Sequence, residues 1–398
     1  MTETDRITFE NGTLIVPPTA TVVKIIGDGV GPDIWRAAGP VLEEAARIHG
    51  CGLKWHEAFA GEEAVKRNGS PLPTETMEAL KHFRVGIKGP LGTPVGGGIR
   101  SLNVAIRQEL DLFACVRPIK YIPGVPSPVK NPELLDMIIF RENTEDVYAG
   151  YEWPAKSAEA QKIIAYLNEE MGTEISPESA VGLKPISQKA SERLIKLAVD
   201  WALKDNRPSL TLVHKGNIMK FTEGAFRQWG YELAAREYGQ KTVPLAQADK
   251  TAQEKRLIIK DCLADNMFMQ TLLRPGEYSV LAMPNLNGDY LSDALAAQIG
   301  GLGVAPGCNL GFGRGVFEST HGTAPKHAGQ DEVNPSSLIL SGAMMFDYLG
   351  WPAAAQSVRQ AVARAIREGF LTYDLARQAD QKPVKCSAFG QAVLSRLK

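Results

Sequence analysis

Cysteine is scarce in this sequence of 398 residues, which contains only five. They are odd in number, widely spaced and never form a C-x-x-C pair, which argues against a disulfide framework and against a zinc site built on thiolates. The pattern indicates reduced thiols, so we expect a cytoplasmic protein. The five are Cys51, Cys115, Cys262, Cys308 and Cys386.

An excess of charge of one sign is also lacking, because 44 Lys and Arg face 45 Asp and Glu, a net charge of -1. No overall basic field therefore favours nucleic acid or a membrane surface. No apolar run approaches the length that crosses a bilayer, and residues 1–14 do not resemble a signal peptide. We expect neither nucleic acid nor membrane as a partner, and any recognition of an anion must depend on local charge.

The composition is that of a folded protein, with 44% hydrophobic and 22% charged residues. Apolar runs predict buried strands, and helical patterns follow them, so the alternation predicts an α/β fold. Residues 148–178 are more polar and irregular, and they look inserted. The predicted strands cover residues 21–26, 84–88, 137–141, 210–214 and 278–283. The predicted helices begin at Gly31 and cover residues 100–112, 187–204, 289–299, 336–349 and 353–368.

The segment from Gly27 to Pro32 resembles a dinucleotide-binding fingerprint, because glycines follow a predicted strand and open a helix. Pro32 stands where the third glycine of G-x-G-x-x-G should be, and that glycine is needed for close packing of helix on strand. We therefore predict a tight turn from strand to helix at this place, and a nucleotide site elsewhere if one exists.

A glycine-rich loop covers residues 89–98. The predicted helix of residues 100–112 follows it and carries side chains suited to an anion. Asn103 and Arg107 are four residues apart and share a helix face, while Ser101 stands at the helix start, where a hydroxyl and free N–H groups suit an anion. Arg117 and Arg141 are predicted to end two strands, and arginine binds carboxylate in bidentate fashion. A solvated surface charge explains any one arginine alone, so the predicted carboxylate site depends on their convergence.

Asp289 and Asp293 are four residues apart and follow a predicted strand. On a helix they share one face, about one turn apart, at the carboxyl end of a strand where α/β folds place ligands. Asp265, in an earlier predicted helix, could complete an oxygen site suited to Mg²⁺ or Mn²⁺. A helix N-terminus whose acids suit the helix dipole explains the same spacing, so both interpretations stay open on spacing alone.

Five longer segments resemble bacterial-type isocitrate dehydrogenase, which belongs to the metal-dependent β-decarboxylating dehydrogenases. They are residues 88–113, 140–153, 213–226, 285–298 and 317–335. The resemblance runs from about Lys24 to the C-terminus and implies a two-domain, non-Rossmann α/β fold of the isocitrate/isopropylmalate dehydrogenase type. It also implies a domain division: a large domain of residues 1–112 and 300–398, a small domain of 113–145 and 191–299, and a clasp-like dimerisation insertion of 146–190.

The same resemblance assigns roles to residues. Tyr148 and Lys215 match the catalytic pair, and Asp265, Asp289 and Asp293 match the metal ligands. Lys215 and Asp265 would come from the partner subunit of a homodimer whose active sites are shared across the interface. The residues that match the substrate-carboxylate ligands are Ser101, Asn103, Arg107, Arg117 and Arg141. In related enzymes the serine matching Ser101 can be phosphorylated, and a phosphate there would repel a substrate carboxylate.

The resemblance implies NADP as the cofactor, because a basic residue at Lys326 suits the 2′-phosphate, whereas an NAD enzyme is expected to carry an acid there. Two positions depart from the pattern: His327 stands where tyrosine is common, and Gly92 where threonine is common. The residues that match cofactor-binding positions are Lys88, Thr93, His321, Gly322, Lys326, His327, Asn334, Tyr373, Arg377 and, from the partner chain, Arg274.

The implied reaction is the metal-dependent oxidative decarboxylation of isocitrate to 2-oxoglutarate and CO₂ with reduction of NADP⁺, a step of the tricarboxylic acid cycle. Alternatives are the same reaction with NAD⁺, a sister dehydrogenase acting on homoisocitrate or isopropylmalate, and a non-catalytic regulatory subunit. Ser101 and Asn103 argue against the sister substrates. A regulatory subunit should have lost one of Tyr148, Lys215 or the aspartates, and all are present.

Overall fold

The computed structural model of the chain describes residues 5–92, 101–248 and 256–398. These residues form an α/β structure, as predicted. The strands are β1 Thr8–Glu10, β2 Thr13–Ile15, β3 Thr19–Ile25, β4 Gly52–Ala58, β5 Val85–Lys88, β6 Ala114–Lys120, β7 Asp136–Glu142, β8 Glu152–Trp153, β9 Val181–Gly182, β10 Ser209–His214, β11 Thr242–Pro244, β12 Leu257–Leu263, β13 Val280–Met283, β14 Pro306–Gly311 and β15 Arg314–Ser319.

The helices lie in the connections between the strands and cover the central sheet. They are α1 Gly31–Ile48, α2 Glu62–Asn68, α3 Thr74–Phe83, α4 Leu102–Glu109, α5 Ala158–Met171, α6 Gln188–Lys204, α7 Glu223–Tyr238, α8 Ala264–Leu273, α9 Asn285–Gln298, α10 Ser336–Tyr348, α11 Pro352–Arg367, α12 Tyr373–Gln378 and α13 Cys386–Leu394. No helix in the described ranges is long and apolar enough to cross a membrane.

One sheet of 11 strands runs through the molecule in the order β11-β12-β10-β13-β7-β6-β14-β15-β5-β3-β4. The strands β11, β12, β10, β13 and β7 form one parallel block, and β15, β5, β3 and β4 form another. Between them, β6 and β14 are each antiparallel to both neighbours. The two blocks therefore run in opposite directions and meet at β6 and β14.

The buried apolar core follows from this arrangement, because strands covered on both faces read as near-continuous apolar runs. Strand β10 is buried along its whole length, and so are β5 and β13. Helix α10 is buried from Ser336 to Phe346 and packs on β14, β15 and α1. A rigid, covered sheet centre of this kind holds polar side chains at its strand ends in fixed positions.

The segment from Gly27 to Pro32 forms the tight strand-to-helix turn that the proline predicts. Gly27 and Gly29 have φ values of 84° and 57°, in the left-handed region that favours glycine, and Pro32 lies in the first turn of α1. A Cβ at Gly29 would lie 2.0 Å from the carbonyl oxygen of Thr323. The turn is therefore packed closely against the loop that follows β15.

Two expectations about local structure were wrong. Residues 148–178 are not irregular throughout, because helix α5 begins at the capping residue Ser157 and ends at Gly172 in the left-handed conformation. Helix α9 begins at Asn285, directly after Pro284, four residues earlier than predicted, because Asn and Gly early in the helix masked the pattern.

Candidate active site

A cavity of about 300 Å³ lies where the two parallel blocks of the sheet meet. It is lined by residues from β5, α4, β6, β7, the turn after β7, α9 and the end of β15. Four cations and two carboxylates line it, so it carries an excess of positive charge suited to an anion. The lining residues are Lys88, Pro90, Leu91, Ser101, Asn103, Val104, Arg107, Arg117, Arg141, Tyr148, Asp289, Glu318, Ser319, Thr320, His321 and Gly322.

The three predicted arginines converge on this cavity and are not solvated surface charges. The exposed fractions of their side chains are 12% for Arg107, 9% for Arg117 and 2% for Arg141. Arg141 ends β7, but Arg117 lies in the middle of β6 rather than at a strand end, which corrects the prediction. Because buried cations need anionic partners, the carboxylates that pair with these arginines are further components of the site.

Glu318 is the buried partner that holds Arg107. One of its oxygens accepts hydrogen bonds from Arg107 at 2.9 Å and from Asn309 at 2.7 Å, and the other pairs with Lys88 at 2.8 Å. Burial raises the pKa of the Glu318 carboxyl, but the charges of Lys88 and Arg107 more than offset this and hold the pKa far below its usual range. Glu318 is therefore ionised and fixes both cations at the cavity wall.

Arg141, Asp289 and Tyr148 form a second linked group. Asp289 accepts a hydrogen bond from Arg141 on one oxygen and one from the hydroxyl of Tyr148 on the other. The Arg141 guanidinium also lies 4.8 Å from the centre of the Tyr148 ring, and its Nε donates to Asn285 at 2.8 Å. Burial and the hydrogen bond to Asp289 raise the pKa of Tyr148 to about 12, so its phenol keeps its proton at neutral pH.

Asp289 and Asp293 lie one turn apart on α9, as the spacing predicts. Asp293 accepts a hydrogen bond from Arg117 at 2.9 Å, so each aspartate is paired with one arginine of the cavity. Asp265, at the start of α8, instead pairs with Lys215 at 2.7 Å. Among the described residues, no group of three or more His, Cys, Asp or Glu could hold a metal within one chain.

Helix α4 presents polar atoms to the cavity that lack partners in the described part of the chain. Ser101 stands at the N-cap position, as predicted, and its side chain makes no capping hydrogen bond. The buried Oδ1 of Asn103 accepts no hydrogen bond within the described ranges, and the Nε atoms of Arg107 and Arg117 likewise donate none. Unpaired buried polar atoms around a cavity are suited to a polar ligand that completes their hydrogen bonds.

Lys215 follows β10 in a loop held by two buried side chains. The backbone N–H of Lys215 donates to Glu223, and the N–H of Gly216 donates to Nδ1 of His214 at 2.9 Å. The other ring nitrogen of His214 lies 3.1 Å from a carboxylate oxygen of Asp261. Neither Lys215 nor Asp265 is among the described residues that line the cavity.

Several predicted cofactor residues lie in the loop after β15 and at the start of α12. The rings of His327 and Tyr373 stack with centres 5.0 Å apart, and Nδ1 of His327 lies 2.5 Å from Glu332. Lys326 and Arg377 are exposed. These side chains form a surface with stacking faces and cations, which suits a nucleotide phosphate and ring.

The remaining predicted cofactor residues differ in their surroundings. Burial lowers the pKa of His321, and its Nε2 has no hydrogen-bond partner in the described part of the chain. Asn334 is buried, accepts from the N–H of Ser336 and donates to Asp374 at 3.1 Å. Arg274 is exposed at the end of α8, and Thr93 lies outside the described residues.

The family model for isocitrate/isopropylmalate dehydrogenases matches residues 21–393. The chain belongs to the isocitrate/isopropylmalate dehydrogenase family. An isocitrate dehydrogenase [NADP] of Archaeoglobus fulgidus is 53% identical over 397 residues, which cover 99% of this chain and 96% of that protein. One of Streptococcus mutans is 50% identical over 402 residues, covering 99% of this chain and all of that protein.

Two solved structures share the fold. The crystal structure of isocitrate dehydrogenase from Methylococcus capsulatus superposes with a TM-score of 0.80 at 36% identity, covering 94% of this chain and 98% of that one. The TT0538 protein of Thermus thermophilus gives a TM-score of 0.80 at 32% identity, covering all of this chain and 71% of that one. The resemblance to the family and the fold class predicted from the sequence are thus confirmed. The domain boundaries stay a prediction.

Two residues that shape the site were not predicted from the sequence: Glu318, which fixes two cavity cations, and Asn285, which fixes Arg141. A signal for Glu318 existed, because an acid within the apolar run of β15 needs a buried cationic partner. Asn285 gave no such signal, because its partner lies 144 positions away in the chain.

Proposed function

We propose that the chain catalyses the oxidative decarboxylation of isocitrate to 2-oxoglutarate and CO₂ with reduction of NADP⁺. The observation that carries this proposal is the convergence of Arg107, Arg117 and Arg141 with Tyr148 and Asp289 on one buried cavity. Isocitrate has three carboxylates, and a cavity with an excess of cations suits such a trianion. The names of the 49–53% identical relatives support the same substrate and cofactor.

The substrate carboxylates bind to the arginines. Arg107 and Arg117 both line the cavity, and each has a buried Nε without a hydrogen-bond partner in the described ranges. Ser101 and Asn103 bind a carboxylate at the helix α4 end of the cavity. Because these contacts need a substrate group of matching length and charge, they favour isocitrate over an apolar-substituted relative such as isopropylmalate.

The donor set of Asp289 and Asp293 fits a divalent cation with hard oxygen ligands, and Asp265 of a second copy of the chain would complete it. When bound there, Mg²⁺ or Mn²⁺ would supply Lewis-acid chemistry to the substrate oxygens. Substrate carboxylates would take over Arg117 and Arg141, which now neutralise the two aspartates, and release the aspartates for the cation.

Tyr148 is the proton donor of this scheme. Its pKa of about 12 keeps the phenol protonated, and its hydroxyl faces the cavity beside Asp289. A phenol placed in this way delivers a proton to the substrate carbon that loses CO₂. Lys215, supplied by the second copy, would help to remove the proton of the substrate hydroxyl, and bound NADP⁺ would supply the hydride acceptor.

The cofactor assignment depends on the stacked His327 and Tyr373 with the exposed Lys326 and Arg377. Together they offer a ring face and several cations, which suit the adenosine 2′-phosphate of NADP. His321 lines the cavity and precedes Lys326 and His327 in the same loop, and its Nε2 has no hydrogen-bond partner in the described part of the chain. The nicotinamide end of the cofactor would enter there.

A homodimer follows from the same reasoning. The region around Lys215 and α8 exposes large apolar side chains, which single soluble chains rarely leave uncovered as a patch. A second copy that covers them would bring Lys215 and Asp265 to its own cavity. The exposed apolar residues are Ile218, Phe221, Met269, Leu272, Leu273 and Tyr290. The free thiols of all five cysteines support a reducing compartment such as the cytoplasm.

The test is a comparison of kcat/KM for isocitrate, homoisocitrate and isopropylmalate, each with NADP⁺ and with NAD⁺, in the presence of Mg²⁺ or Mn²⁺. We expect isocitrate with NADP⁺ to give the highest value. Turnover of a sister substrate alone would overturn the substrate assignment. Preference for NAD⁺ would overturn the proposal that Lys326, His327, Tyr373 and Arg377 bind the 2′-phosphate of NADP. Loss of all turnover in EDTA, restored by Mg²⁺, is expected from the aspartates.

A further inference from the structure

A buried ion cluster lies beside the cavity without lining it. It consists of Asp146, Lys184 and Glu223 and is called the Lys184 cluster below. Lys184 Nζ lies 2.5 Å from Asp146 Oδ1 and 3.0 Å from Glu223 Oε1. The exposed fractions of the side chains are 1% for Asp146, 0% for Glu223 and 19% for Lys184. One cation from the segment between α5 and α6 thus joins two buried carboxylates.

Asp146 holds two parts of the cavity together. It lies in the 3-10 turn Asp146–Ala149 that carries Tyr148, with a φ of 69°, in the left-handed region. One carboxylate oxygen accepts from the backbone N–H of Val147 at 2.8 Å, and the other accepts from the N–H of Leu286 at 2.9 Å. Because Leu286 is in the first turn of α9, Asp146 fixes the Tyr148 turn against the helix that carries Asp289.

Glu223 holds the Lys215 loop in the same way. One of its oxygens accepts from the backbone N–H of Lys215 and, at 2.8 Å, from the side-chain amide of Asn287. Asn287 is again in the first turns of α9. The start of α9 is therefore bonded to both carboxylates of the cluster, and Lys184 joins these carboxylates to each other.

We propose that Lys184 is a positioning residue that holds the Tyr148 turn, the start of α9 and the Lys215 loop in one rigid arrangement. The three segments that carry Tyr148, Asp289 and Lys215 each donate backbone or amide N–H groups to these two carboxylates, in addition to the direct contact of Tyr148 with Asp289. Without the positive charge of Lys184, the negative charges of the two buried carboxylates would repel each other, and the carboxylates would move apart. This inference rests on the proposed function, since it concerns the groups that would carry out that reaction.

The test compares Lys184→Met with the parent enzyme in the isocitrate and NADP⁺ assay. We expect kcat to fall by about 10- to 100-fold, because small displacements of reacting groups cost rates of that order. The KM for isocitrate should change by a smaller factor than kcat, because Arg107 is held by Glu318, which does not belong to the cluster. An unchanged kcat in a folded Lys184→Met protein would overturn the proposal.

Two further variants separate positioning from a general loss of stability. Lys184→Arg keeps a cation that can bridge both carboxylates, and it should restore most of kcat. Arg207→Met removes a cation of similar exposure, 21% for its side chain, which pairs with Asp136 at the start of β7, the opposite end of that strand from Arg141. It should lower the melting temperature and leave kcat unchanged. A fall of kcat in Arg207→Met equal to that in Lys184→Met would mean that any lost ion pair has this effect.

A double variant keeps the question answerable if Lys184→Met does not fold. Lys184→Met with Glu223→Gln has the same net charge as the parent cluster, and the glutamine oxygen can still accept from Lys215 N–H. We expect this protein to fold and to keep a low kcat, because the bridge between the Tyr148 turn and the Lys215 loop is gone. Recovery of the parent kcat would show that the cluster only balances charge and would overturn the proposal.

The activity of the parent enzyme distinguishes a failure of the proposed function from a failure of the proposed role of Lys184. If it does not oxidise isocitrate with NADP⁺, the proposed function fails, and the role of Lys184 fails with it. If it is active while Lys184→Met and the double variant are folded with parent kcat, only the positioning role fails.

Discussion

The hydroxyl of Tyr148 donates a hydrogen bond to Asp289, the same carboxylate that pairs with Arg141. Tyr148, the proposed proton donor, is thus in direct contact with a candidate metal ligand, which also contacts the candidate carboxylate-binding cation Arg141. Burial and this contact raise the pKa of Tyr148 to about 12. The phenol therefore keeps its proton at neutral pH.

Replacement of Tyr148 by Phe should remove the proton donor and little else. We expect kcat to fall by roughly 100- to 10,000-fold, the usual contribution of a general acid, with a small change in the KM for isocitrate. Tyr151→Phe is the matched control, because Tyr151 belongs to the same segment and is 53% exposed. Steady-state kinetics of both variants give the answer, and a Tyr148→Phe enzyme with parent kcat would remove Tyr148 from the mechanism.

Mixed dimers test whether Lys215 acts in the partner's site. Tyr148→Phe and Lys215→Met are each expected to be nearly inactive. If subunits exchange at random, half of the dimers combine one of each, and each of these has one intact site, so activity should return to about a quarter of the parent value. No recovery in verified mixed dimers would mean that Tyr148 and Lys215 of the same chain act together.

The proposed binding of the NADP 2′-phosphate by Lys326 predicts that Lys326→Glu shifts the cofactor preference from NADP⁺ towards NAD⁺. An acid at this position repels a phosphate and can accept from a ribose hydroxyl, so kcat/KM for NADP⁺ should fall by about 10- to 100-fold, the loss expected for a charged hydrogen bond. The value for NAD⁺ should fall much less. Lys382→Glu, a charge reversal at another exposed position, should affect both cofactors equally little. Equal losses for the two cofactors in Lys326→Glu would contradict the assignment.

Asp261 predicts a specific pH dependence of stability. Hydrogen bonds from His214, Arg227 and Tyr231, the first of these the strongest cause, lower the pKa of its carboxyl far below the usual range despite partial burial. A depressed pKa stabilises the fold above the unfolded value of about 4, and this stabilisation is lost as pH falls further.

Asp261→Asn should therefore lower the free energy of unfolding by about 1–3 kcal/mol at pH 7. The difference from the parent should shrink steadily as the pH is lowered below about 4. Denaturant unfolding between pH 7 and 3 measures it, with Asp380→Asn at an exposed position as the control. A difference that stays constant over this range would show that the charge of Asp261 does not stabilise the fold.

Local sequence signals predicted the elements that have clear caps. Helix α6 follows the N-cap Ser187, and α1 follows the glycine turn with Pro32 in its first turn. Helix α5 has equally clear caps, Ser157 and Gly172, but its short buried face of Ala160 and Ile164 makes the apolar period weak. The polar composition of the segment therefore outweighed its caps in the prediction.

The candidate site was predictable only in part, because its residues meet across long stretches of chain. Arg107, Arg117 and Arg141 were identified by type and by resemblance to the family, but the pairing of Arg107 with Glu318 spans 211 positions. The Lys184 cluster joins segments in the same way, with Asp146 and Glu223 on separate elements. Contacts of this kind depend on the order of strands in the sheet, which the local pattern does not determine.

The proposed reaction is tested most directly by measuring NADPH and CO₂ together when the purified protein acts on isocitrate with NADP⁺ and Mg²⁺. We expect one CO₂ for each NADPH formed, with both lost in EDTA and both lost in Asp289→Asn. Formation of NADPH without CO₂, or equal turnover with and without Mg²⁺, would contradict the proposed function.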